Sequence, residues 1–239
     1  MYSVNKTSRV LGVAFLIQAI SSLTSGIIWS NRGFIVPGNV SESLINIANR
    51  PWLIRTYILG EMITAVGVIF LGVVLFVTLR KQNEQLALTA LGFYILEGAL
   101  LAASKMATFS LLPISQEYVT AGHSAYLQTL GNVALKATDF GMTLLMWPFS
   151  LGAILFYYLL DKARVVPRWL SLWGLITVFP CLIGTLSSML GYRMPFLIYV
   201  PYGPFEFVIG VWILVKGIPN TRRSLKFGRK RQNLVSSPV

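Results

Sequence analysis

The chain has 239 residues, 55% of them hydrophobic and only 12% charged, with a mean hydropathy of +0.67. A soluble domain carries roughly 25% charged residues, so this composition excludes an ordinary soluble fold and predicts a bundle of spanning helices. The net charge of +12 does not point to nucleic acid, because the basic residues lie between the apolar runs and in the tail rather than on one folded face.

Six apolar runs are predicted to span. The first, residues 10–28, follows Lys6 and Arg9 as a signal peptide would. It is too long for a typical cleaved apolar region and is read as a retained span. Residues 29–54 form a loop. Inside it, "SESLINIANR" places Leu44, Ile45 and Ala48 at helical spacing. A short interfacial helix is expected there, capped by Ser41 and ended before Pro51.

The second span covers residues 53–79 and carries Glu61. A tight polar turn, Arg80 to Glu84, leads to the third span, residues 86–112, with Glu97 and Lys105. Residues 113–127, with Pro113, Gly122 and the single histidine His123, are predicted as loop. The fourth span, residues 130–160, carries Lys136 and Asp139. It is long for a bilayer core of about 30 Å, so it should tilt, project or bend at Pro148. The fifth, residues 169–190, has Pro180 and the only cysteine, Cys181, read as a small apolar filler. The sixth, residues 199–216, becomes regular near Pro201 and holds Glu206. Residues 219–239 are a basic tail, expected to be disordered and to contact anionic lipid.

Six spans put both termini on one side. That side collects fourteen basic residues, from Lys6 and Arg9 through Arg80, Lys81 and Arg168 to Lys216 and the tail, against Arg32, Arg50, Arg55 and Arg193 opposite. The positive-inside bias therefore predicts cytoplasmic termini. The expected fold is an all-α polytopic bundle, one domain over residues 1–218. Arg168, Trp169, Trp173, Trp212 and Lys216 are candidate interface anchors, and Tyr157, Tyr158, Tyr192 and Tyr199 lie near span ends as interfacial aromatics do.

Charges inside hydrocarbon are expensive, about 3 kcal/mol each at the centre on insertion scales. Glu61, Glu97, Lys105, Lys136, Asp139 and Glu206 are therefore the candidate site. The predicted topology places them at mid-depth or in the outer half. Lys136 and Asp139, three apart, can pair along one helix face. Two uses are open: an outward-facing polar cavity that binds a small molecule, ion or lipid, or structural pairs that only fix helix packing. Gly98, Ala102 and Ala103 could allow close packing of the third span. No zinc-protease, phosphate-loop, dinucleotide or nucleophile-elbow motif is present, so neither catalysis nor a cofactor is expected.

Two stretches carry a family pattern. "LLDKARVVPRWLSLWGLI" supplies Arg164, Pro167, Arg168, Trp169, Leu170, Trp173 and Gly174; "PFEFVIGVWILVKGI" supplies Glu206, Gly210, Trp212, Lys216 and Gly217. Together they resemble a bacterial and archaeal membrane family, domain of unknown function 4386, whose third span also carries a glutamate, here Glu97. The resemblance covers residues 6–218 and is strongest in the C-terminal third. It implies a six-span protein of a prokaryotic cytoplasmic membrane and brings no activity with it. Lys105, Lys136 and the long tail are not part of the family pattern.

Overall fold

A computed structural model describes residues 2–3, 6–30, 34–192 and 194–219. The basic tail beyond residue 219, Arg32 and Arg193 lie outside the described residues. Among the described residues seven α-helices follow in order: α1 (Lys6–Ser30), α2 (Val40–Asn49), α3 (Pro51–Leu79), α4 (Glu84–Thr120), α5 (Ala125–Ala163), α6 (Arg168–Met189) and α7 (Tyr202–Lys216). Five of them, all but α2 and α7, are long and apolar enough to cross a membrane.

The helices pack in chain order. α3 lies between α1 and α4, α5 between α4 and α6, and α7 between α6 and α1, which closes a ring. At one end two short strands, β1 (Tyr2–Ser3) and β2 (Ile218–Pro219), pair antiparallel, Tyr2 opposite Pro219 and Ser3 opposite Ile218. The segments before α1 and after α7 therefore meet. Sequence reading missed this pair, because two-residue strands leave no period to detect.

The helices stay helical because their backbone groups bond internally, the only economical state in hydrocarbon. Their outer faces are apolar. On α3, Leu59, Ile63, Val66, Phe70, Val73 and Val77 are all exposed. In water such a stripe would be an aggregation surface; in a bilayer it faces its own solvent. Small residues bring helices together inside. A Cβ at Gly98 of α4 would sit 2.9 Å from the Ala65 carbonyl oxygen of α3, so Gly98 marks a close crossing, as expected. Ala102 is half-buried and Ala103 is exposed. The α1/α7 crossing is tighter on both sides. A Cβ at Gly12 would meet the Leu214 backbone nitrogen at 2.9 Å and the Gly210 carbonyl oxygen at 3.0 Å.

Several boundaries differ from the expected ones. Residues 113–120 are not loop: α4 runs through Pro113 to Thr120. Proline removes one backbone bond, but Leu111, Leu112, Ser115 and Tyr118 are buried here, beside α2 and α5, and packing holds the turn. Only residues 121–124 turn, with Gly122 and His123 both at positive φ. His123 is exposed and donates its backbone N–H to the Tyr118 carbonyl, 2.9 Å, a helix-end role. α5 has 39 residues, about 58 Å at 1.5 Å per residue, and so projects past a bilayer core, with Pro148 inside it.

The short helix α2 forms where expected, but Asn39 caps it, accepting from the Glu42 N–H at 3.1 Å. Ser41 lies inside the first turn and instead bonds the Tyr118 hydroxyl at 2.7 Å, tying α2 to α4. α7 begins at Tyr202 behind Pro201, as predicted, and has 15 residues. That is about 22 Å, short of the bilayer core. A 3-10 turn (Phe196–Ile198) precedes it, and Tyr199 and Ile198 reach Gly184 of α6. Cys181 is buried and donates to the Thr177 carbonyl, in keeping with a filler.

Candidate functional site: two carboxylates and a hydroxyl chain

Four of the six candidate charges lie on helix faces turned inward, in two groups. The first joins α3 and α4. Lys105 Nζ sits 3.1 Å from Glu61 Oε2 and donates to the Tyr57 hydroxyl at 3.1 Å, with the Tyr57 ring centroid 4.9 Å away. Glu61 is 4% exposed and Lys105 3%, so the pair is sealed. Two long side chains from facing helices meet here because each is the other's only economical partner in a low-dielectric interior.

The second group lies two turns earlier on α4, about 12 Å by helix rise. Tyr94 and Glu97 share a face of α4, three residues apart. Tyr94 fits because Gly72 of α3 and Gly152 of α5 leave it room: a Cβ on either would come within 2.9 Å of the Tyr94 side chain. Its ring meets Phe156 edge-on, centroids 5.0 Å apart. From α7, Tyr202 and Glu206 project four residues apart, one helical turn. Phe205 between them is seated in the gap at Gly174 of α6. Tyr202 donates to Glu206 Oε1 at 2.9 Å. The Tyr157 hydroxyl of α5 bonds the Tyr202 hydroxyl. Since the Tyr202 O–H points at the carboxylate, Tyr157 is the donor to Tyr202. The result is a hydroxyl chain, Tyr157 to Tyr202 to Glu206.

Glu97 is 5% exposed, and its Oε2 is buried with no hydrogen-bond partner. Gln18 of α1 has a second buried acceptor without a partner, Oε1, which faces Gly67 of α3. Gly98 packs between Ala65 and Ile69, and Leu16 packs on Gly210. Gln18, Glu97 and Glu206 therefore occupy similar levels along the bundle. Among the described residues this layer holds no ion pair; the two ion pairs are Glu61–Lys105 and Asp161–Arg168.

The other two candidates lie elsewhere. Lys136 and Asp139 are both exposed on α5, and no ion pair joins them. Their predicted i, i+3 pairing is corrected: the two side chains point outward from α5 without coming within ion-pair distance. Glu206 lies in the second turn of α7, where it was expected, ten residues and about 15 Å before Lys216.

Tyr157 is also reassigned. It is fully buried in the hydroxyl chain, whereas Tyr158 is exposed as an interfacial aromatic would be. The signals that could have found the chain were a tyrosine inside an apolar run, Tyr94, and the Tyr202/Glu206 spacing.

The anchor residues gather at the α5–α6 end. Trp169 stacks on Trp173 at 6.4 Å and meets Trp212 edge-on at 6.0 Å. Arg168 Nε lies 3.6 Å from Asp161 Oδ1, which also accepts from Ser171. Asp161, unmarked in the sequence reading, thus fixes the turn between α5 and α6. Arg168, Trp169 and Lys216 are exposed, while Trp173 and Trp212 are half-buried.

Long apolar helices, lipid-like outer faces and buried acids define a multi-pass integral membrane protein, placed in a cell membrane. The family described as Domain of unknown function (DUF4386) matches residues 10–217, and the chain belongs to it. No curated protein matches the chain, and no solved structure does.

Proposed function

We propose that the protein crosses the membrane six times with both termini cytoplasmic and binds a proton or small cation at Glu97 and Glu206, as a binding or transport module. The observation that carries this reading is the buried Glu97 Oε2, without a hydrogen-bond partner, at the level of Glu206 on α7, while Lys105 is committed to Glu61. A buried carboxylate at Glu97 and a half-buried one at Glu206 need neutralising within a spanning bundle, and the described residues of that layer supply hydroxyls but no cation. Nothing in this reading calls for catalysis, a cofactor or a metal cluster.

The same charges have a structural use, favoured by one observation: the sealed Glu61–Lys105 pair, which can pin the register of α3 against α4 without any ligand. Glu97→Gln and Glu206→Gln separate the two. A site predicts folded variants with altered proton flux or pH response in proteoliposomes. A purely structural role predicts reduced thermal stability and an unchanged pH response.

The meeting of β1 with β2 and the basic bias support the topology. Reporter fusions at Gln82, Lys162 and the C-terminus should read cytoplasmic, and one near Gly122 external. A periplasmic signal from the C-terminal fusion would sink it.

A further inference from the structure

Resting on that reading, we infer that the ligand at Glu97 and Glu206 is an alkali-metal cation such as Na⁺, which exchanges with a proton. The unpartnered atoms in the layer are both acceptors: Glu97 Oε2 and Gln18 Oε1. Both need a donor or a positive charge. At this level of the bundle the acceptors are oxygens, from the two carboxylates, the Tyr157 and Tyr202 hydroxyls and the Gln18 carbonyl. Oxygen acceptors of this kind suit hard cations. A cluster of three or more histidine, cysteine or acidic side chains able to hold a metal is absent among the described residues, which disfavours a transition metal. Mg²⁺ dehydrates reluctantly, and this layer is walled by the rings of Tyr94, Phe149, Phe156 and Phe205. Glu206 Oε1 is already compensated by the Tyr202 donor, so a single positive charge with one retained proton leaves the layer neutral.

The exchange balances simply. The carboxylic O–H of Glu97 breaks, its proton goes to water, and the carboxylate left behind takes the cation. The groups that titrate around it are Tyr94 and Glu97 on α4, Tyr157 on α5, and Tyr202 and Glu206 on α7. α1 brings Gln18, which does not titrate. α3 brings Tyr57 and Glu61, two turns off and engaged by Lys105. On α6, the Cys181 thiol bonds the Thr177 carbonyl.

The test uses the purified full-length protein in detergent micelles. Its thermal midpoint is followed through titrations of NaCl, LiCl, KCl, CaCl₂ and MgCl₂, with choline chloride holding ionic strength constant, between about pH 6 and about pH 8. A cation that binds only the folded protein raises the midpoint. Na⁺ or Li⁺ should do so over choline. The apparent dissociation constant should rise about tenfold for each pH unit lowered while one proton competes with one cation. Glu97→Gln should abolish the ion response, and Glu206→Gln should weaken it. If a variant fails to fold, the competition slope of the wild-type protein decides alone. A midpoint that follows pH but ignores alkali ions overturns this inference and leaves the proton reading standing. A larger response to Ca²⁺ or Mg²⁺ overturns the monovalent assignment. An ion response that persists in folded Glu97→Gln and Glu206→Gln proteins places the cation elsewhere and also overturns it. Indifference to both pH and ions overturns this inference and the proposed function together.

Discussion

Replacing Lys105 with methionine should destabilise the protein by about 3–5 kcal/mol, because it leaves Glu61 buried without a partner. Glu61 is 4% exposed and its ion-pair partner is Lys105, 3.1 Å away. The Coulomb attraction that offset the desolvation of both ions is gone, and the interior gives the carboxylate no water. The double variant, Glu61→Leu with Lys105→Met, removes both charges and should recover most of that loss. Well-packed apolar replacements of buried pairs are often neutral or stabilising. The measurement is a double-mutant cycle on unfolding in detergent micelles. If the double variant were as unstable as the sum of the singles, the two residues would not act as a unit. The Tyr57 hydroxyl, which accepts from Lys105, would lose its donor in both backgrounds and so cancels from the comparison.

Gly12→Val should be the most damaging of the glycine substitutions, at about 1–3 kcal/mol or more from overpacking. The atoms that a Cβ would meet are largely backbone, the Leu214 nitrogen at 2.9 Å and the Gly210 oxygen at 3.0 Å. A side chain can rotate away; a helix backbone must move as a whole. α1 and α7 would separate, and with them the step that closes the ring of helices. Gly92→Ala is the matched control. It lies in α4 with nothing within 4 Å of its added Cβ, so it should stabilise by about 0.5–1 kcal/mol through lost glycine freedom. The opposite signs are read from thermal midpoints of the two variants. A neutral Gly12→Val would mean that α1 does not rest on α7.

The sequence carried the helices well and their ends poorly. Apolar run length identified α3 and α6 to within two residues, because hydrocarbon leaves the backbone little choice. It could not see α4 continue beyond Pro113, since that extension is held by Tyr118 and α2, contacts that exist only once the chain is folded. The site was half legible. A carboxylate in an apolar run announces itself by cost, which found Glu61, Glu97 and Glu206. Cost does not tell which way a helix is turned, so Lys136 and Asp139, on an exposed face of α5, looked the same. The tyrosines went unread for the opposite reason. Tyr157 near a span end has the usual look of an interfacial ring, and only the Tyr202 hydroxyl facing it reveals its place in the interior.

The projecting ends of α4 and α5 have a consequence for how the protein opens. With α2 they build a separate apolar cluster around Phe34, Leu44, Ile47, Ile54, Leu111, Tyr118 and Leu127, apart from the main core that contains Tyr94, Tyr157 and Tyr202. Part of α5 lies beyond any 30 Å hydrocarbon layer; in the topology proposed above this cluster falls there, held by burial from water, while the spanning helices are held by their packing in lipid. Two cores in two solvents make two cooperative units. Amide hydrogens of α2 should exchange with deuterated water well before those near Tyr94, and denaturants that act through water should melt the cap while the membrane-embedded helices stay folded.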